Sequence, residues 1–312
     1  MAADKTKKTD MANETENVQN RYLDTLKKYE TELDDRQVSE AVGRILADHY
    51  EANNTPEVLK TCFSCIDLTS LNPTDNELRI RELTRCVNHF EEAFPDLQNV
   101  ASICVYPNFA ETVTAFLDVT EVATTVVAGG FPSSQTFNEI KVAECALAVA
   151  SGADEVDTVM NVGQFLAEDY EGLTDTLQEC KEACREKIFK VILETGELKT
   201  ASNIAKASVL AMYSGADFIK TSTGKTAVSA TPEAVYVMCL MAKEYFRQTG
   251  TRVGIKVAGG VRTPEDAVRY YTIVQSVLGP DWCCRDYFRI GASSAANNLL
   301  SAIVGKPVKH FV

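Results

Sequence analysis

Histidine is scarce. His49, His89 and His310 are the three among 312 residues, and they lie far apart in the chain. That scatter argues against a histidine metal site and a Ser-His-Asp triad. No apolar run approaches the roughly 18 residues needed to span a membrane, and the opening "MAADKTKKTD" lacks the apolar core of a secretory signal. Excess positive charge is also missing. The net charge is -13 and the pI about 4.8, so a nucleic-acid partner is not expected. The ten cysteines are irregularly spaced, and Cys62-x-x-Cys65 has no second pair at zinc spacing. Free thiols in a reducing cytoplasm are the expected state.

What is present is a rhythm. Residues 1–55 form an N-terminal extension, its first ~15 residues polar and expected to be disordered. From 17 to 50, Leu23, Leu26 and Tyr29, then Val42, Ile45 and Leu46, recur at helical spacing. The extension is expected to cover part of the main domain, with a separate binding module as the alternative. From residue 56 to 305, eight strand-like runs alternate with helical ones. The strand-like runs are "TCFSCID", "VASICVYP", "VATTVVA", "DEVDTVM", "FKVILET", "ADFIKTS", "RVGIKVA" and "DYFRIGA". Eight βα units in about 250 residues is the count of a (β/α)8 TIM barrel; a doubly wound sheet is the alternative. A tail, 306–312, follows. "ATPEAV" and "RTPEDAV" each offer Thr as N-cap and Pro at the first helical position.

Several strands carry charge on the wrong face for a bland core. Side chains alternate along a strand, so Val253, Ile255 and Val257 share one face of "VGIKV" while Gly254 and Lys256 take the other. The same alternation puts Asp157, Lys190 and Lys220 opposite the apolar faces of their strands. If those apolar faces meet the surrounding helices, one carboxylate and three lysines point into the barrel. A buried lone charge costs several kcal/mol unless paired, which favours a functional network over an incidental ion-pair cluster.

The stretch "FIKTSTGKT" ends like a nucleotide-binding P-loop, but Ile219 stands where that motif needs its first glycine. Lysine chemistry fits better. At pH 7 a free lysine is neutral in roughly one molecule in 2,500, and the neutral amine is the nucleophile. Lowering its pKa by about three units, equivalent to about 4 kcal/mol, makes near half of it reactive. Burial and a neighbouring cation both act in that direction. Lys220 and Lys256 close consecutive strands and are placed to do this, with Asp157 to move protons. After the seventh and eighth strands come "GGVRTPEDA" and "GASSAANNLL". Gly259, Gly260, Arg262, Gly291, Ser293 and Ser294 lie where barrels commonly hold phosphate, and Lys225 adds charge.

Between residues 60 and 295 the sequence resembles the deoxyribose-phosphate aldolases. The matching stretches are "DLTSLNPTD", "ICVYP", "GADEVD", "KVILETGEL", "GADFIKTSTGK", "GIKVAGGVRT" and "RIGASS". The resemblance implies a (β/α)8 barrel and a class I aldol reaction, with no metal or cofactor beyond a covalent imine on Lys220. It implies reversible cleavage of 2-deoxyribose 5-phosphate to glyceraldehyde 3-phosphate and acetaldehyde. Lys256 then lowers the pKa of Lys220, Asp157 relays protons and Lys190 sits beside it. Asp67 and Thr69 become substrate contacts; Thr223, Gly224 and Lys225 join the phosphate end. Cys104, which shares a strand face with Ser102, is placed on the pocket wall, with a packed thiol as the alternative. The expected partner is a small phosphorylated sugar, with a homo-oligomer possible on the same footing. The long extension resembles eukaryotic members. The tail "GKPVKHFV" ends at Val312, whereas many members finish in a mobile tail ending in Tyr. Two other readings stand beside this one: an imine-forming aldolase barrel for a keto acid or other sugar phosphate, and a non-catalytic scaffold.

Overall fold

The computed structural model describes residues 22–312. The segment read as disordered, and the start of the helical reading from residue 17, lie outside the described residues. Eight parallel strands close into a barrel in sequence order: β1 Ile66–Thr69, β2 Ser102–Val105, β3 Ala123–Ala128, β4 Glu155–Val159, β5 Ile188–Ile192, β6 Phe218–Lys220, β7 Gly254–Ala258 and β8 Phe288–Ala292. At least one helix follows each strand, so the fold is a (β/α)8 TIM barrel.

The outward faces are the apolar ones. Val156, Val191, Ile219, Ile255 and Val257 are fully buried between sheet and helices. The register then brings the inward residues side by side: Asp157 with Lys190, Lys220 with Lys256, and Lys256 with Arg289. The two helix starts follow their sequence. Thr231 caps Pro232–Thr249, and Thr263 caps Pro264–Leu278 in a capping box with Asp266.

Two expectations need correction. In "TCFSCID", residues up to Ser64 belong to the helix Pro56–Ser64, and β1 begins only at Ile66. Thr55 and Pro56 start that helix, and its buried end at Cys62 and Phe63 mimics a strand. "FKVILET" leaves strand geometry after Ile192, because Glu194 is left-handed (φ 54°) and opens the short helix Thr195–Leu198. In the extension, helical residues 22–26 give way to a turn and irregular chain, and Asp34 then caps Asp35–Asn53 by accepting from the Gln37 amide.

The extension packs against the flank of the barrel. Leu33 exchanges hydrogen bonds with Ser202, Asp35 accepts from the Ala201 amide, and Asn53 donates to Thr272 within a buried contact. These contacts tie it to the helices Ala201–Tyr213 and Pro264–Leu278. The tail docks elsewhere. Phe311 is buried and stacks on Phe63 and Phe90, near the N-terminal end of β1, while His310 Nε2 lies 2.7 Å from the Cys86 carbonyl. This is the opposite end of the barrel from Lys220, which closes β6.

One glycine has a steric reason. A Cβ on Gly254 would meet the Phe218 ring at 2.2 Å, so β7 leaves the slot that this ring occupies inside the barrel. Gly254→Ala is therefore expected to destabilise the chain by about 1–3 kcal/mol. Urea denaturation followed by circular dichroism checks this; an unchanged midpoint contradicts it.

Candidate active site

The inward charges form one continuous network. Asp157 Oδ2 accepts from Lys220 Nζ and Lys256 Nζ, each at 2.7 Å, and Oδ1 accepts from Lys190 Nζ at 3.1 Å. Lys256 also pairs with Asp67, and Lys190 with Glu155. Arg289 closes the lower side, donating from Nη1 to Asp67 Oδ1 at 2.6 Å and from Nη2 to Glu155 Oε1 at 2.8 Å. Lys190 and Lys256 are fully buried, and Lys220 is 3% exposed. Below them the Phe218 ring lies 5.9 Å from Lys190 Nζ and 5.7 Å from the Arg289 guanidinium carbon.

Burial and opposite charge act against each other at Asp67, Glu155, Asp157, Lys220, Lys256 and Arg289. For Asp157, burial disfavours the carboxylate, but Lys190, Lys220 and Lys256 outweigh it and hold the group well below the usual carboxylate range. Asp67 and Glu155 are lowered in the same way by the cations around them. The two lysines that share Asp157 Oδ2 diverge. Burial lowers Lys220, and Lys256 adds to that effect against the pull of Asp157. Lys256 is also penalised by burial, but it faces two carboxylates, Asp157 and Asp67, and is raised. The structure thus offers one amine with weakened hold on its proton beside one locked as a cation.

Above Lys220 opens a cavity of about 240 Å³. Thr69, Thr223, Gly224, Lys225, Gly259, Gly260, Arg262, Gly291, Ser293 and Ser294, all candidates from the sequence, line it together with Lys220. Leu71 and Asn72 line it as well and were not foreseen. A larger cavity of about 420 Å³ lies outside the barrel, between Val38 of the extension, Ile204 and Val237. It is mainly apolar and touches none of the interior lysines, so the smaller one is the candidate site. At its far end Gly259 and Gly260 adopt φ of 82° and 85°, conformations that favour glycine. Ser293 caps Ser294–Val304 without a side-chain bond, leaving first-turn amides for an anion. The exposed Arg262 side chain adds a cation, and Lys225 Nζ reaches the Leu71 carbonyl at 2.5 Å.

Two of the candidates for substrate contact are not on the cavity wall. Asp67 is fully buried in the ion network, held by Lys256 and Arg289. Cys104 is a buried thiol packed with Leu71 and Val127, and burial raises its pKa. Both face inward as their strands require, Asp67 two residues before Thr69 on β1 and Cys104 in register with Thr69 on β2. Lys190 sits on the Asp157 oxygen opposite to that used by Lys220.

Three participants escaped the sequence reading. Glu155 alternates with Asp157 in "EVDTV" and so shares its strand face. Arg289 alternates with Gly291 in "FRIGA", which was signal enough to turn it inward. Glu194 is buried, and its carboxylate accepts from the Thr223 hydroxyl and from Thr226 Oγ1 at 3.2 Å. It thereby fixes the loop carrying Lys225. Only its left-handed backbone brings it there, and no local spacing announces that.

A buried lysine with a lowered pKa thus stands at the C-terminal mouth of a (β/α)8 barrel, facing a rim of glycines, serines and Arg262. The family model for the DeoC/LacD family aldolases matches residues 61–276, and the chain belongs to that family; it is an aldolase, a lyase. A Caenorhabditis elegans protein provisionally named deoxyribose-phosphate aldolase is 38% identical over 274 residues, covering 87% of this chain and 90% of that protein. Among solved structures, QR15, an aldolase, is 27% identical with a TM-score of 0.62, over 78% of this chain and 96% of that one. The tetrameric deoxyribose phosphate aldolase of Aeropyrum pernix shares the fold, with a TM-score of 0.61 at 24% identity over 86% and 98% of the two chains.

The depressed carboxylates set a pH dependence. Unfolded Asp and Glu titrate near about 4, and in the folded chain Asp67, Glu155 and Asp157 titrate lower. Their stabilisation is therefore complete above that value and is lost as pH falls through the folded range. Thermal melts between pH 7 and 2 should show stability falling below about pH 4, with a shallower fall in Asp157→Asn. Equal slopes for the two chains contradict this.

Proposed function

We propose that this chain is a Schiff-base aldolase that reversibly cleaves 2-deoxyribose 5-phosphate to glyceraldehyde 3-phosphate and acetaldehyde. The observation that carries the reading is the pair of lysines sharing Asp157 Oδ2, with Lys220 alone of the two on the cavity wall. A deoxyribose-phosphate relative at 38% identity supports the substrate. So does the distribution of donors in the cavity, with the amine at one end and the Arg262, Gly259–Gly260 and Ser293–Ser294 rim at the other.

The chemistry follows from that arrangement. The Lys220 amine adds to the C1 aldehyde of the open-chain sugar, and loss of water leaves a protonated imine. A proton leaves the C3 hydroxyl, toward Asp157 directly or through water. The C3–O bond becomes a carbonyl, the C2–C3 bond breaks, and its electron pair moves into C1–C2 to neutralise the imine nitrogen. Glyceraldehyde 3-phosphate departs. Protonation of the enamine at C2 and hydrolysis release acetaldehyde and restore Lys220. Lys256, kept cationic by Asp157 and Asp67, holds positive charge beside these steps and discourages Lys220 from regaining its proton early. The covalent imine takes the place of any cofactor or metal.

Among the described residues no helix is long and apolar enough to cross a membrane, and all ten cysteines are free thiols. We place the activity in the cytoplasm on that thiol content.

Borohydride reduction with acetaldehyde, followed by peptide mapping, should attach the two-carbon adduct to Lys220. Lys220→Ala should abolish it, EDTA should leave turnover unchanged, and pyruvate should not replace acetaldehyde as donor. An adduct on Lys225, or preference for pyruvate, overturns the assignment. Arg262→Ala should raise KM for deoxyribose 5-phosphate by roughly 10- to 100-fold, the worth of a charged hydrogen bond. The same variant should leave unphosphorylated deoxyribose unaffected; equal losses on both sugars place Arg262 elsewhere than at the phosphate.

A further inference from the structure

The interior network has a charge count that the two upper lysines alone do not explain. Its cations are Lys190, Lys220, Lys256 and Arg289, four in all, and its carboxylates are Asp67, Glu155 and Asp157, three in all. Every one of these groups is at most 5% exposed. A net charge held in such a place is costly, because little water remains to screen it. Release of one proton makes the cluster neutral, so the question is which group releases it.

Arg289 keeps its proton under all ordinary conditions. Lys190 contacts Glu155 and Asp157, and Lys256 contacts Asp67 and Asp157. Lys220 contacts Asp157 alone, and it is the one that meets the cavity. Its neighbour on β5 is the apolar Ile192, its neighbour on β7 is Lys256, and the Cys104 thiol acts on it from β2. On the rim, Glu194 is engaged by Thr223 and Thr226, and Lys225 by the Leu71 carbonyl.

We propose that Arg289, through its paired bonds to Glu155 and Asp67, is a positioning residue that keeps the interior one cation in excess and so makes Lys220 the amine that surrenders its proton. Without Arg289 the remaining lysines would match the carboxylates three to three, and Lys220 would be needed as a cation. Without Glu155 the excess would grow, and Lys220 would give up its proton more readily. A neutral Lys220 still donates one N–H to Asp157 and keeps its lone pair for the carbonyl. The opposite directions for Lys220 and Lys256 described above accord with this count.

The inference rests on Lys220 as the imine-forming residue and adds how its proton is controlled. Trapping with acetaldehyde and cyanoborohydride across pH 5 to 10, read by peptide mass mapping, gives the pH midpoint of adduct formation on Lys220. Arg289→Met should move that midpoint up by roughly one pH unit, and Glu155→Gln should move it down by a similar amount. The combined variant removes one charge of each sign and should return close to the parent midpoint. Should Arg289→Met fail to fold by circular dichroism, Glu155→Gln and the combined variant still decide between the outcomes. A purely structural role predicts lower yield with an unmoved midpoint. Shifts of the same sign, or none in folded variants, overturn the charge count while leaving the aldolase reading intact. A parent chain with no adduct on Lys220 overturns both.

Discussion

The Asp157 carboxylate is the point on which this structure turns. Three ammonium groups reach its two oxygens from three different strands, and none of the three has comparable access to water. Removing the carboxylate would leave three buried cations facing one another. Retaining it ties β4, β5, β6 and β7 together at the same depth. The interaction is therefore structural and chemical at once: the bonds that make a charged barrel interior tolerable also unequally distribute the hold on each proton.

That inequality arises from geometry rather than from distinct chemical types. Lys220 and Lys256 are the same residue, in register on adjacent strands, at the same distance from the same oxygen. They differ in what lies on the other side. Lys256 turns toward Asp67, beneath Gly291, where a Cβ would meet Ala258 Cβ at 2.9 Å. Lys220 turns toward the cavity, where no second carboxylate waits. Two identical amines thus receive opposite roles from a difference of one neighbour.

The sequence made the barrel and its interior lysines legible because strand alternation is strictly local. A lysine flanked by Ile219 and Val257-like apolar residues declares its face without knowledge of the rest of the chain. Depth was not legible in the same way. Asp67 and Cys104 face inward as expected, but whether an inward residue meets the cavity or the floor depends on strand tilt and register, which no single run of residues records. Arg289 went unread because it stands alone between Phe288 and Ile290, in a stretch that looks apolar. Glu194 depends on a left-handed turn at a non-glycine residue, a conformation set by its partners Thr223 and Thr226 rather than by its neighbours in sequence. The first strand was displaced because a helix ending in Cys62 and Phe63 carries as much apolar character as the strand that follows.

The extension crosses the outside of the barrel beside the units that hold Lys190, Lys220 and Lys256. Its attachments reach Ser202 after β5, Glu233 after β6 and Thr272 after β7. Three successive βα units thereby acquire a common outer brace, and relative slippage among them is resisted from both sides of the sheet. The lysine-bearing sector is thereby clamped from outside by the extension and from within by the Asp157 ion pairs.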